Sequence, residues 1–344
     1  MTHTNKAPRL ASIELMRIIA MLAVIVIHAG LFMHNPLFND QPIVGYLANQ
    51  LSRFAVPFFF IVTGFLIQPK LHQHPLATLI NYVRPLLTIW LVWSVITLLI
   101  PSNFRLLASV GYIAERTEYW QFLWQTPLNS FLEGGLVHLW FLPALIIAVT
   151  LIACLEKLNA LKALLPLALI LYLYGVLAGC YAILTELPSP FLTRNGPFLS
   201  LLMVTIGYFI RQYQYNLKLS LILVLFSIGL LGHLSEDYWL SLHDVTFNTH
   251  DFLFFTPLWA TAIFFLCLRF PTVGDTPLVH ALSKHILGVY VAHLSIMIVF
   301  YNLVGLYQIS GYTKDVIIFF GTLISTLLFV KIIEKTPFNK LLMR

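Results

Sequence analysis

Three strongly polar side chains interrupt an apolar run near the N-terminus, IELMRIIAMLAVIVIHAG at residues 13–30: Glu14, Arg17 and His28. Arg17 and His28 are eleven residues apart, which is three helical turns plus about 20°. A helix here therefore carries both on one face, about 16 Å apart along its axis. Glu14, three residues before Arg17, shares that face and is in range to pair with it. A histidine is the side chain best suited to trade a proton near pH 7. A helix in lipid turns such a stripe inward, toward a pore or cavity. On these residues alone, the stripe suits a proton-coupled carrier of a sugar or small anion, or an enzyme that deprotonates a hydroxyl.

The elements that position the stripe follow from composition. Of 344 residues, 59% are hydrophobic and only 10% are charged, against about 25% charged in a soluble domain. Too few charges remain to cover a soluble surface of this size. Apolar stretches near twenty residues match roughly 30 Å of hydrocarbon. Ten occur, at about 13–33, 43–67, 82–100, 136–155, 161–180, 197–211, 217–231, 251–268, 284–306 and 314–333. They are too continuous for barrel strands, and lipid leaves helices as the alternative. The expected fold is all-α: a polytopic integral membrane protein with about ten transmembrane helices, forming a single domain over residues 1–344.

With Lys6 and Arg9 in the cytoplasm, the even-numbered loops and the C-terminus collect most of the 20 basic residues, while acidic residues gather outside. Both termini are thus expected to be cytoplasmic. The net charge of +6 is a topology signal, and nucleic acid is not an expected partner; the lipid bilayer is. No cleavable signal peptide is expected, because no small-residue cleavage site follows the first segment. Residues 101–135 hold many aromatics and suit an interfacial or re-entrant segment on the outer face. Cys154, Cys180 and Cys267 lack paired or metal spacing. His233, His243 and His250 are read as outer-loop residues without a zinc motif. No phosphate-binding glycine loop or serine nucleophile elbow is present.

Several stretches, taken in order, resemble acyltransferase family 3, the bacterial membrane O-acyltransferases. Glu14, Arg17 and His28 match its opening E-x-x-R-x(10)-H pattern. RFAVPFFFIVTGFLI, residues 53–67, is similar to its second helix, with Thr63 where serine is usual. LVHLWFLPAL at 136–145 resembles its His-Leu-Trp-Phe element, and SKHILGVYVAH at 283–293 its late helix. Arg84 resembles a basic residue after the second cytoplasmic loop. The chain is similar to the short subgroup, without a paired-glutamate element or a C-terminal extracytoplasmic domain.

The resemblance implies transfer of an acyl group, usually acetyl from acetyl-CoA, to a hydroxyl of a surface saccharide or its lipid-linked precursor in the bacterial inner membrane. It implies no permanently bound cofactor; acetyl-CoA is a co-substrate. In that reading His28 is the general base, Arg17 holds a CoA phosphate or the thioester carbonyl, and Glu14 orients Arg17. Arg53, Arg84, His138, Trp140, Tyr290 and His293 are the candidate substrate-binding residues. Arg53 would face the acceptor and His138 would contact it or assist proton transfer. Gly64 is expected at a close helix crossing or a backbone approach to substrate. Whether His28 itself takes the acyl group, which acceptor is used and whether the protein forms a homo-oligomer are open.

Overall fold

The computed structural model describes residues 10–34, 41–243 and 250–343. Lys6, Arg9 and Arg344, part of the charge-asymmetry argument, lie outside the described residues. Among those described, the chain is helical and has no strand. In order the helices are α1 (Ala11–Ala29), α2 (Ile43–Ser52), α3 (Ala55–Gln73), α4 (Pro75–Leu99), α5 (Phe104–Val110), α6 (Tyr112–Trp124) and α7 (Pro127–Glu133). A 3₁₀ turn, Val137–Trp140, leads into α8 (Phe141–Lys157), followed by α9 (Leu164–Leu177), α10 (Ala182–Thr185), α11 (Pro197–Tyr213) and α12 (Leu219–Ser241). The chain continues with α13 (Thr256–Arg269), α14 (Pro277–Ser283), α15 (Ile286–Leu306), α16 (Gly311–Glu334) and α17 (Asn339–Leu342).

Each of the ten apolar stretches falls on a helix, but they are not equal. Seven are long and apolar enough to cross a membrane: α1, α2 with α3, α4, α8 with its turn, α12, α15 and α16. The apolar helices Leu161–Leu177 and Thr256–Arg269 fall short of that length, and α11 has 17 residues. At 1.5 Å per residue, α13 with its 14 residues rises only about 21 Å. The second stretch also breaks at Arg53 and Phe54, separating α2 from α3.

One expectation is corrected. The seventh stretch does not end at 231: α12 runs to Ser241 and buries His233, Glu236 and Asp237 instead of leaving them in a loop. Each finds a polar partner there, which makes burial tolerable. His233 bonds Thr256 Oγ1 and Gln50 Oε1, both at 3.1 Å. Asp237 pairs with His250, and Glu236 accepts from Tyr181 and from the backbone N–H groups of Phe254 and Phe255.

Helix α3 is the hub, in contact with α1, α4, α8, α11 and α13. Its crossing with α11 is set by two glycines. Gly64 lies against the Val204 carbonyl and Gly207 against the Ile61 carbonyl, so the backbones touch directly, the small-residue packing available to helices in lipid. The periphery is inverted relative to a soluble protein, with Leu91, Ile170, Leu231, Leu328 and Ile332 exposed. Helices α5–α7 follow the same rule. Trp124, Phe122 and Phe131 point out, while Glu115 and Arg116 are buried as an ion pair.

Candidate active site

Three elements far apart in sequence bring three histidines together. Helix α1 carries His28 near its last turn, the 3₁₀ turn before α8 carries His138, and α15 carries His293. Their ring centroids are 5.3 Å apart for His28 and His293, 5.0 Å for His138 and His293, and 6.5 Å for His28 and His138. His138 and His293 are fully buried, and His28 is half-buried.

The hydrogen bonds fix two of the three tautomers. His138 Nε2 lies 3.0 Å from the Val291 carbonyl, and His293 Nδ1 lies 2.6 Å from the Tyr290 carbonyl. A carbonyl only accepts, so both nitrogens carry the hydrogen. The other nitrogens, His138 Nδ1 and His293 Nε2, are then bare acceptors when the rings are neutral, and among the described residues neither has a partner. Both nitrogens can therefore accept a hydrogen bond from a hydroxyl. Tyr290 locks the arrangement by donating its hydroxyl to the His138 carbonyl.

Below this cluster opens a cavity of about 550 Å³, lined by Arg17, Lys70, Thr63, Asn81 and Tyr82 among apolar residues of α3, α4 and α8. Tyr290 lines it as well, and its ring lies 5.7 Å from His138 and 5.9 Å from His293. The cavity thus carries Arg17 and Lys70 in its wall and adjoins the histidines through Tyr290, while none of the three imidazoles lines it. Glu14 stands beside it. Its carboxylate is bonded by His280 Nδ1 at 2.7 Å and Ser283 Oγ at 3.2 Å, which ties α1 to α14, and its charge also acts on Arg17.

On the other side of the cluster is an ion network that sequence reasoning found only in part. Asp251 is shared by Arg53 and Arg194, each at 2.6 Å. Arg194 also contacts Glu133 at 3.0 Å, to which Asn195 donates at 3.1 Å. Burial opposes the charge on Arg194, but Asp251 and then Glu133 outweigh it and raise its pKa above the ordinary value. Arg53, Arg194 and Asp251 are all near enough for their charges to act on His28. Of these, only Arg53 was expected. Arg194, Asp251 and Glu133 read in the sequence as ordinary loop charges, and the one available hint was that they fall on the expected outer side.

Arg84 does not join the site. It is exposed on α4 and lines neither the cavity nor the histidine cluster. Lys284, on the same expected cytoplasmic side, is likewise exposed and outside the cavity lining. Trp140, the last residue of the turn that carries His138, is buried against Phe60, with ring centroids 6.3 Å apart. Among the described residues, no group of three or more His, Cys, Asp or Glu is arranged to hold a metal ion. All three cysteines are free.

Comparison with known proteins agrees with the motifs. A family model described as an acyltransferase domain, the third of that name, matches residues 10–334. A serine/alanine racemase of Enterococcus gallinarum is 27% identical over 278 residues, covering 75% of this chain and 37% of that protein. An amino-acid racemase of Enterococcus faecalis is 27% identical over 275 residues, 76% of this chain and 37% of its own length. The chain thus matches well under half the length of these relatives. No solved structure matches.

Proposed function

Because the chain belongs to acyltransferase family 3, we propose that it moves an acetyl group from acetyl-CoA to a hydroxyl of a surface or lipid-linked saccharide, with His28 as general base. The observation that carries this reading is the meeting of the three histidines, next to a cavity that holds Arg17 and Lys70 and within electrostatic reach of an arginine–carboxylate network. In this reading the chain is a multi-pass protein of the bacterial inner membrane with about ten spans and cytoplasmic termini. CoA stays in the cytoplasm, its phosphates at Arg17 and Lys70. Its thin pantetheine arm runs along the cavity toward Tyr290.

The acceptor approaches from the side of Arg53 and Arg194. Its hydroxyl gives its proton to His28 as the oxygen attacks the thioester carbon. The tetrahedral intermediate collapses, the C–S bond breaks, and the imidazolium returns the proton to the departing thiolate. The products are the ester and CoA thiol, and no proton is gained or lost. Bare nitrogens on His138 and His293 accept hydrogen bonds from neighbouring acceptor hydroxyls and so orient the sugar.

The test is acetyl transfer by membranes carrying His28→Ala or His28→Gln at wild-type abundance. Loss of a general base typically costs about 10²–10⁴ in rate. Wild-type turnover by either variant would remove His28 from the mechanism. Absence of any acetyl-CoA consumption by the purified native protein, across saccharide acceptors, would instead favour a carrier.

A further inference from the structure

A second cavity, of about 340 Å³, lies between the ends of α11 and α13 and beside α3. It shares no lining residue with the cavity that Arg17 and Tyr290 line. Its polar lining is Arg211, Arg269, Gln214, Asn216 and Tyr215, and among the described residues no carboxylate lines it. The Arg211 guanidinium sits 5.2 Å from the centroid of the Phe65 ring, which is itself part of the wall. An aromatic face holds a guanidinium without neutralising it. Among the described residues, neither arginine is engaged in an ion pair.

The chain is bent to build this wall. Gln214 ends α11 at a φ of 53°, in the left-handed region that residues other than glycine seldom adopt. Its side chain donates to the Arg211 carbonyl at 2.6 Å. The turn brings Tyr215 and Asn216 over the cavity. Arginines in the last turn of a helix also complement its dipole. That accounts for each charge separately. It does not account for two guanidinium groups, two amide side chains and an aromatic ring closing on one space.

We propose that this cavity is a phosphate-binding site distinct from the acyl-donor cavity. A tetrahedral anion with several acceptor oxygens is the ligand that two planar donor forks and two amides satisfy together. The remaining wall is aliphatic and aromatic, and Tyr215 within it is exposed. A phosphate carried by a membrane amphiphile, as in the headgroup of an anionic phospholipid, therefore fits both parts of the wall. Basic pockets between membrane helices hold such headgroups.

The experiment uses the detergent-purified full chain and follows its unfolding temperature and, by native mass spectrometry, its retained lipid. The added probes are phosphatidylglycerol, phosphatidylcholine, inorganic phosphate and CoA, each separately. Wild-type protein is expected to gain stability and retain phosphatidylglycerol but not phosphatidylcholine. Arg211→Gln with Arg269→Gln should lower that retention at least tenfold and abolish the shift. Arg269 is exposed, so Arg269→Gln alone keeps the test valid should the double variant fold poorly. Stabilisation by inorganic phosphate as strong as by phosphatidylglycerol, and lost in the variants, supports the site with free phosphate as its occupant. Protection by CoA alone would overturn the proposal by making the cavity part of the donor site. Unchanged retention and shift in both variants would overturn it outright.

Discussion

Gly64→Ala isolates the contact on which the site's scaffold rests. A Cβ at that position would lie 2.0 Å from the Val204 carbonyl oxygen, against ordinary contact beginning near 3.4 Å. The obstacle is backbone on both sides, so no rotamer change relieves it; α3 and α11 must part by more than an ångström. Overpacking of this kind costs about 1–3 kcal/mol. Alanine recovers up to about 1 kcal/mol of helix propensity, leaving a net loss of roughly 2 kcal/mol at the upper end. Helix α3 also supplies Thr63 and Leu66 to the donor cavity, so its displacement should raise the KM for acetyl-CoA. The control is Gly305→Ala in α15, where an added Cβ meets nothing within 4 Å and stability should hold or rise. Thermal unfolding in detergent, monitored by size-exclusion chromatography, measures both. Wild-type stability in Gly64→Ala, or equal losses in the two variants, would refute the reasoning.

Arg17→Gln should raise the KM for acetyl-CoA about 10–100-fold, the worth of one or two charge-assisted hydrogen bonds, with protein abundance unchanged; unaltered KM would remove Arg17 from the donor site. Arg194→Gln should raise the KM for the acceptor more than that for acetyl-CoA. Arg194→Lys should restore little, since one ammonium cannot reproduce the fork that spans Asp251 and Glu133; steady-state kinetics with both substrates varied decides this. Burial works against the Glu115 carboxylate, but Arg116 and the backbone N–H groups of Asn103 and Ser102 hold its pKa at about 2, below the ordinary 4.5. Its stabilising contribution is therefore complete above about pH 4.5 and is lost as pH falls toward about 2. Glu115→Gln should cost about 3–5 kcal/mol by leaving Arg116 buried without a counter-charge and should remove that acid transition, as read by unfolding between pH 6 and about 2. In sealed vesicles with the cytoplasmic face inside, acetyl-CoA added outside should give no product; robust transfer would refute two-sided access.

Much of the site was legible because its chemistry is concentrated where lipid makes polar side chains expensive. His28 and His293 stand out as polar groups inside apolar runs, and His138 at the head of one. The structure does bring all three rings together. Their partners were not legible, because carbonyls carry no sequence signature. The ion network was hidden for another reason. Glu133, Arg194 and Asp251 sit in segments between or at the edges of apolar stretches, where charges are the norm. Only the fold reveals that they meet. Glu14 illustrates the limit of local spacing: the rule of three residues foresaw Arg17, whereas His280 and Ser283, more than 260 residues away, supply direct hydrogen bonds. The end of α12 was misjudged because His233, Glu236 and Asp237 resemble a loop composition until their buried partners are known.

The acceptors that orient His138 and His293 are the carbonyls of Val291 and Tyr290, neighbours on one turn of α15. A side-chain acceptor can be deleted by a single codon change; a carbonyl is present whatever residue occupies the position. The proton arrangement on these two rings is thus buffered against mutation as long as α15 keeps its shape. Drift at Val291 alters packing but leaves its carbonyl acceptor in place. The lineage can vary the walls that contact its substrates while inheriting the orientation of the imidazoles unchanged.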